Sequence, residues 1–174
     1  MEEEASVAAN LLDLTLRPFE LTDVDDFMVW ATDDRVTRFC SWDTYTSIES
    51  AVKCITENIL PHPWIRAICL KNRPVGSISV TPNKEDKFRG EIGYTLAADY
   101  WGRGIATAAV KMAVKIVFRE WVWLERLEAL VDVENWGSQR VLEKSGFEKE
   151  GVLRKFYLHK GKLKDMVMFS LLRS

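Results

Sequence analysis

Tyr100 to Val114 reads YWGRGIATAAVKMAV, a glycine-rich bend that opens a long amphipathic helix. The apolar run EIGYTLAAD, Glu91 to Asp99, stands directly before it, so the local order is strand, glycine loop, helix. That order makes an anion site. The N–H groups of a first helical turn have no partners inside the helix, and the aligned peptide dipoles leave partial positive charge there, so a phosphate binds without a lysine. Gly102 and Gly104 carry no Cβ and let the backbone come close to such a ligand, while Arg103 adds a charged donor.

Spacing tests two phosphate loops against this stretch. A P-loop requires a lysine directly after its last glycine, but Gly104 is followed by Ile105 and the next lysine is Lys111. A dinucleotide fingerprint counted from Gly102 finds Gly104 in second place and Thr107 where the third glycine belongs. Neither fits.

Working outward, three strands are expected before the loop: WIRAICL, PVGSISVTP and FRGEIGYTLAA, joined by KNRP and the charged turn NKEDK. Their short connections predict antiparallel pairing in sequence order. Ahead of them LLDLTLRPF, Leu11 to Phe19, reads as a strand closed by Pro18. Thr22 then reads as the N-cap of a short helix whose first turn carries Asp23, Asp25 and Asp26, and Phe27 and Trp30 form its apolar stripe. A turn at Asp33 to Thr37 leads into the loop RFCSWDTYT, and Ser47 opens a second amphipathic helix reaching Ile59. After the glycine loop, the helix is expected to bury Ile105, Ala109, Met112, Ile116 and Val117. LERLEALVDV alternates as a strand, Asn135 to Lys144 forms a short helix stopped at Gly146, and the tail makes two strands bent at Lys160-Gly161. The expectation is therefore a mixed α/β fold whose order is β-α-α-β-β-β-α-β-α-β-β. Residues 1–10 read as a flexible tail and 11–174 as one domain.

The segment Trp101-Gly102-Arg103-Gly104-Ile105-Ala106 resembles motif A of the GCN5-related N-acetyltransferases, [QR]-x-x-G-x-[GA], with Trp in the first place where the pattern has Gln or Arg. YWG[RK]G-x-A-T is how the branch similar to the ribosomal-protein alanine acetyltransferases spells it. Two further stretches carry the same resemblance: the opening LTLRPFELTDVDDFMVWATDDRVTRF, and VENWGSQRVLEKSGFEKEGVLR, whose Asn135, Ser138, Val141, Gly146 and Phe147 match a second signature. The resemblance covers nearly the whole chain. It implies the fold of that superfamily: a mostly antiparallel sheet of about seven strands, splayed at its centre, with about four helices.

It also implies a donor, acetyl-CoA. Tyr94, Thr95 and Leu96 would hold the pantetheine arm as an added strand would. The loop of Trp101, Gly102, Arg103, Gly104, Ile105 and Ala106 would take the pyrophosphate, and Asn135 and Ser138 would flank the thioester. Acetyl transfer to an amine needs a base, because an ammonium ion is not a nucleophile, and the departing thiolate gains from a donor. Glu91, thirteen residues before Gly104, stands where relatives carry a catalytic glutamate; a strand residue facing solvent is the alternative. Ser138 is the candidate acid, with Tyr157 its rival, and backbone N–H groups near Thr95 and Leu96 would polarise the thioester carbonyl. Trp42 and Tyr45, with Glu91, are the acceptor-binding candidates.

Composition narrows the partners. With 174 residues and a net charge of −2, the chain lacks the basic excess of a nucleic-acid binder, and no 18-residue apolar run suits a membrane span. Charge is uneven: residues 1–60 hold thirteen Asp/Glu against four Lys/Arg, and residues 61–174 hold thirteen against twenty. An acidic front suits a cationic amine and a basic back suits a polyanionic donor. Cys40, Cys54 and Cys69 lack metal spacing and read as reduced cytoplasmic thiols, none beside a histidine, which favours direct transfer over an acetyl-cysteine route. His62 and His159 show no metal spacing either. The acceptor is expected to be a protein N-terminal amine; a polyamine or amino sugar, or a non-catalytic acetyl-CoA sensor, are the alternatives. The chain is expected to be a monomer or homodimer, without nucleic-acid or membrane partners.

Overall fold

A computed structural model of the chain describes residues 11–174. The expected tail at 1–10 lies outside the described residues. Seven strands, β1 (Leu14–Arg17), β2 (Ile65–Leu70), β3 (Arg73–Pro82), β4 (Arg89–Leu96), β5 (Arg126–Asp132), β6 (Glu148–His159) and β7 (Lys162–Leu172), form one sheet in the order β1-β2-β3-β4-β5-β7-β6. Among the described residues are five α-helices: α1 (Val24–Ala31), α2 (Asp34–Thr37), α3 (Ile48–Cys54), α4 (Ile105–Glu120) and α5 (Trp136–Lys144). None is long and apolar enough to cross a membrane.

Two cores lie on opposite faces of the sheet. One gathers Ile92 and Leu96 of β4, Leu127, Ala129 and Val131 of β5, and the inner faces of α4 and α5. The other gathers Phe27, Trp30 and Ala31 of α1, Ala51 of α3, and Ala67 and Cys69 of β2. Successive strand residues point to opposite faces, so Glu91, Thr95 and Glu128 look away from α4 and α5. The buried stripe of α4 is Ile105, Ala109, Val110, Ala113 and Val117, so Met112 and Ile116, expected inside, are half-buried at its margins.

All neighbouring strands are antiparallel except β4 and β5, which run parallel for three positions: Arg89 opposite Arg126, Gly90 opposite Leu127, Glu91 opposite Glu128. Beyond Glu91 they part. β4 continues along β3 to Leu96, and β5 continues along β7 to Asp132, with no partners in common. An ion network fixes the apex of this V. Glu128 Oε1 accepts from Arg89 Nη1 at 3.0 Å and from Arg126 Nε at 2.7 Å, Arg126 forks onto Glu150 at 2.7 Å through each terminal nitrogen, and Arg89 also bonds Asp86. Arg126, with help from the Ser170 hydroxyl, holds the Glu150 carboxyl down to about 2.

Three local expectations change. Thr22 is not the helix cap: Glu20 and Asp23 form a reciprocal box around a short 3-10 turn, Leu21–Asp23, that leads into α1. Asp23 is buried because Arg17 grips it with two bonds of 2.8 Å, and that tertiary ion pair decides which side chain sits at the helix entrance. The helix opened by Ser47, whose hydroxyl accepts from Ser50 N at 3.2 Å, is α-helical to Cys54 and continues to Ile59 as a wider π turn. The opening strand is shorter than read, spanning Leu14–Arg17.

Candidate active site

The glycine loop lies at the open end of the V. Gly102 and Gly104 have φ of +73° and +75°, in the left-handed region where a Cβ costs about 1–2 kcal/mol, and a Cβ built on either meets nothing within 4 Å. Both therefore border open space. Gly104 caps α4 without any side-chain cap, and the first helical bond runs from Ala108 N to Gly104 O at 3.0 Å. The N–H groups of Ile105, Ala106 and Thr107 precede that bond and have no partner in the helix. Trp101 explains itself: its indole N–H donates to the Leu96 carbonyl at 2.8 Å, tying the loop to the end of β4. Arg103 folds back with its guanidinium 5.5 Å from the centre of the Tyr100 ring, a cation–π distance.

Between loop and apex runs the parted edge of β4, bearing Tyr94, Thr95 and Leu96. An extended chain with alternating amide donors and acceptors fits against such an edge. The crevice and the open, uncapped helix start thus suit a pantetheine arm and its pyrophosphate.

Asn135 caps α5, its Oδ1 accepting from Ser138 N at 3.1 Å, which places Ser138 in the first turn of that helix. Tyr94 reaches across the V to it: Tyr94 Oη lies 2.7 Å from Ser138 Oγ and 3.1 Å from Ser138 O. Sequence reasoning gave Tyr94 a backbone role and missed its hydroxyl, although alternation with Ile92 and Leu96 puts the ring on the α5 face.

Glu91 sits at the apex, on the other face. Its side chain is exposed, yet neighbouring protein still desolvates it. Desolvation, then the like charge of Glu128, pushes its carboxyl above the ordinary range. Glu128 is engaged by two arginines, while Glu91 makes no hydrogen bond or ion pair with any side chain among the described residues. Together with Thr81, Asn83, Lys84 and Glu128 it lines a cavity of about 220 Å³.

The acceptor candidates are placed differently. Trp42 and Tyr45 stack at 5.4 Å and 25°, both half-buried against the α1–α3 core, and burial followed by the Cys54 contact pushes the Tyr45 phenol up. Tyr157 stands on β6 with its ring 6.0 Å from His159, and its hydroxyl makes no hydrogen bond among the described residues. No hydrogen bond joins it to Ser138 among the described residues. A bridge that spacing could not reveal closes the Glu91 face: at the β6–β7 turn, Lys160 Nζ donates to Thr37 O at 2.8 Å and His159 Nε2 to Arg38 O at 3.0 Å. Cys40, in the same loop, has its thiol 3.9 Å from Thr95 Oγ1 and pushed up by burial, as is the thiol of Cys69. His62 accepts from Trp64 N and bonds Thr81. Among the described residues no cluster of His, Cys, Asp and Glu is arranged to hold a metal. Arg140 pairs with Glu143 on the surface of α5 at 3.4 Å, and Lys144 is exposed.

A family model described as an acetyltransferase (GNAT) domain matches residues 13–148. An uncharacterized N-acetyltransferase, p20, of Bacillus licheniformis is 34% identical over 166 residues, covering 92% of this chain and 93% of that one. An acetyltransferase of the GNAT family from Bacillus anthracis superposes with a TM-score of 0.83 at 26% identity, over 92% of this chain and 95% of that one. RimL, a ribosomal L7/L12 α-N-protein acetyltransferase solved with coenzyme A, shares the fold with a TM-score of 0.81 at 22% identity, over 92% and 94%. The chain belongs to the GNAT family of acetyltransferases. It is an acetyl-CoA-dependent N-acetyltransferase.

Proposed function

We propose that the chain transfers acetyl from acetyl-CoA directly to a protein N-terminal amine, with Glu91 as base and Ser138 as donor to the departing sulfur. The observation that carries this reading is the placement of these two groups on opposite faces of one V-shaped crevice, whose open end meets the uncapped start of α4. The donor lies along the parted edge of β4 with its pyrophosphate on Gly102 to Ala106. The amine approaches from the Glu91 face, under the loop 38–46 and the β6–β7 turn. A carboxylate whose pKa is raised is a better base near neutral pH than an ordinary one. Thiols pushed upward are poorly ionised, which supports direct transfer over an acetyl-cysteine. The α-N-protein activity of RimL, a fold relative, supports the acceptor class. The working compartment on this reading is the cytoplasm, where Cys40, Cys54 and Cys69 stay reduced.

A small cationic amine is the second reading, favoured by the acidic balance of residues 1–60. The test is a panel of peptides with free N-terminal Ala, Ser or Met, their N-blocked lysine-containing counterparts, spermidine and glucosamine, with released coenzyme A thiol as readout. Turnover of free N-termini supports the proposal. Turnover confined to spermidine or glucosamine replaces it with the second reading.

A further inference from the structure

The Tyr94–Ser138 contact spans the crevice on the α4/α5 face. Tyr94 stands three residues past the point where β4 leaves β5, and Ser138 lies on the helix that follows β5, so the two hydroxyls join halves of the sheet that have parted. Two hydroxyls carry two protons, and the distances of 2.7 Å to Oγ and 3.1 Å to the carbonyl oxygen offer those protons two arrangements. In the first, Tyr94 donates to the Ser138 carbonyl and Ser138 donates to Tyr94 Oη. Both protons are then engaged inside the pair. In the second, Tyr94 donates to Ser138 Oγ, and the serine's own proton is released toward the crevice. Exchange between them needs only rotation about two C–O bonds.

We propose that Tyr94 is a positioning residue for acetyl transfer, its hydroxyl holding Ser138 Oγ and switching that serine into the state that donates to the departing sulfur. This rests on Ser138 as the donor of the proposed function. A hydroxyl that accepts a hydrogen bond becomes a better donor, so the Tyr94 contact strengthens the bond that Ser138 gives to the developing thiolate. Tyr94 keeps its own proton throughout. Burial pushes its phenol up to about 12 despite the opposing contact with Ser138, so it stays a donor across the working range.

The test compares wild type, Tyr94→Phe, Ser138→Ala and the double variant in single turnover, with the best acceptor from the panel above. Tyr94→Phe removes one oxygen and keeps the ring that packs against the core. Expected are a loss of about tenfold in rate for Tyr94→Phe, a KM for acetyl-CoA within about twofold of wild type, and a double variant no slower than Ser138→Ala alone. Three outcomes overturn the proposal. One is a silent Tyr94→Phe beside a slow Ser138→Ala; another is losses that multiply in the double variant. The third is a Tyr94→Phe effect confined to KM or melting temperature, which would make the contact a structural bolt. A silent Ser138→Ala removes the premise instead, and the single variants tell that failure apart from the others.

Discussion

Glu91 on β4 and Glu128 on β5 are the last register partners before the two strands part, so two carboxylates face the same side of the sheet at the apex of the crevice. The pair is unequal. Glu128 is salt-bridged to Arg89 and Arg126, whereas Glu91 has no such partner, and desolvation, then the like charge of Glu128, raises its pKa. As the proposed base, Glu91 would act only when ionised, so the acid limb of kcat/KM should lie above the ordinary glutamate value of roughly 4.3. An α-amino acceptor, with a pKa near 7.7–8.0, adds its own rise at higher pH. Glu91→Gln should slow transfer by about 10²–10⁴ and remove the lower limb while keeping the upper one. A pH–rate profile that keeps both limbs at full height would remove Glu91 from the reaction.

The same raised pKa makes a stability prediction of definite sign. Between the unfolded and folded pKa values of Glu91 the native chain binds more protons than the unfolded one, so this residue's contribution to stability falls as pH rises through that window. Above the window the ionised carboxylate is a standing cost. Glu91→Gln should therefore melt higher than wild type at neutral pH, while losing activity. Equal or lower melting would show that the carboxylate carries no such strain in the fold.

Local periodicity made the order of elements legible, because a strand or a helix start is written in neighbouring residues: Ser47 and Asn135 cap the helices they open, and Lys160 and Gly161, at φ of +47° and +78°, form the turn read from them. What spacing could not carry is long-range. Thr22 lost the cap because Arg17 draws in Asp23, and the apex beyond which β4 and β5 part is held by an ion network that joins residues as far apart as Asp86 and Glu150. In the site, the glycine loop was readable from its composition. The Tyr94 hydroxyl and the Lys160 bridge were not, since one spans 44 residues and the other 123.

Gly104 tests the loop. Its φ of +75° is costly for any residue with a Cβ, while the space beyond it is open, so Gly104→Ala should cost about 1–2 kcal/mol in stability without any clash. The added methyl would project into the space assigned to the pyrophosphate. KM for acetyl-CoA should rise tenfold or more, as expected for the loss of one or two charge-assisted bonds at about 1.5–3 kcal/mol each, with KM for the amine little changed. A variant that is destabilised yet binds acetyl-CoA normally would move the pyrophosphate elsewhere.

Lys160 tests the acceptor side. Its ammonium donates to Thr37 O and lies 3.9 Å from Asp43, so the end of the β6–β7 hairpin is fastened to the loop after α2 on the far side of the V. Lys160→Asn is the informative change, because asparagine tolerates the left-handed backbone the turn requires and is too short to reach Thr37. His159 still bonds Arg38 O, so the bridge loosens without opening fully. On the proposed reading the donor lies along β4 and the glycine loop, which the tied loop meets only through the Cys40 thiol, 3.9 Å from Thr95 Oγ1. Lys160→Asn should therefore raise KM for the amine about fivefold, the worth of one net hydrogen bond, and leave KM for acetyl-CoA unchanged. Adding His159→Ala should raise it again by a similar factor, since both residues hold the same loop. Steady-state kinetics with each substrate varied in turn decides it: equal shifts in both KM values would mean that the bridge supports the whole crevice rather than its acceptor face.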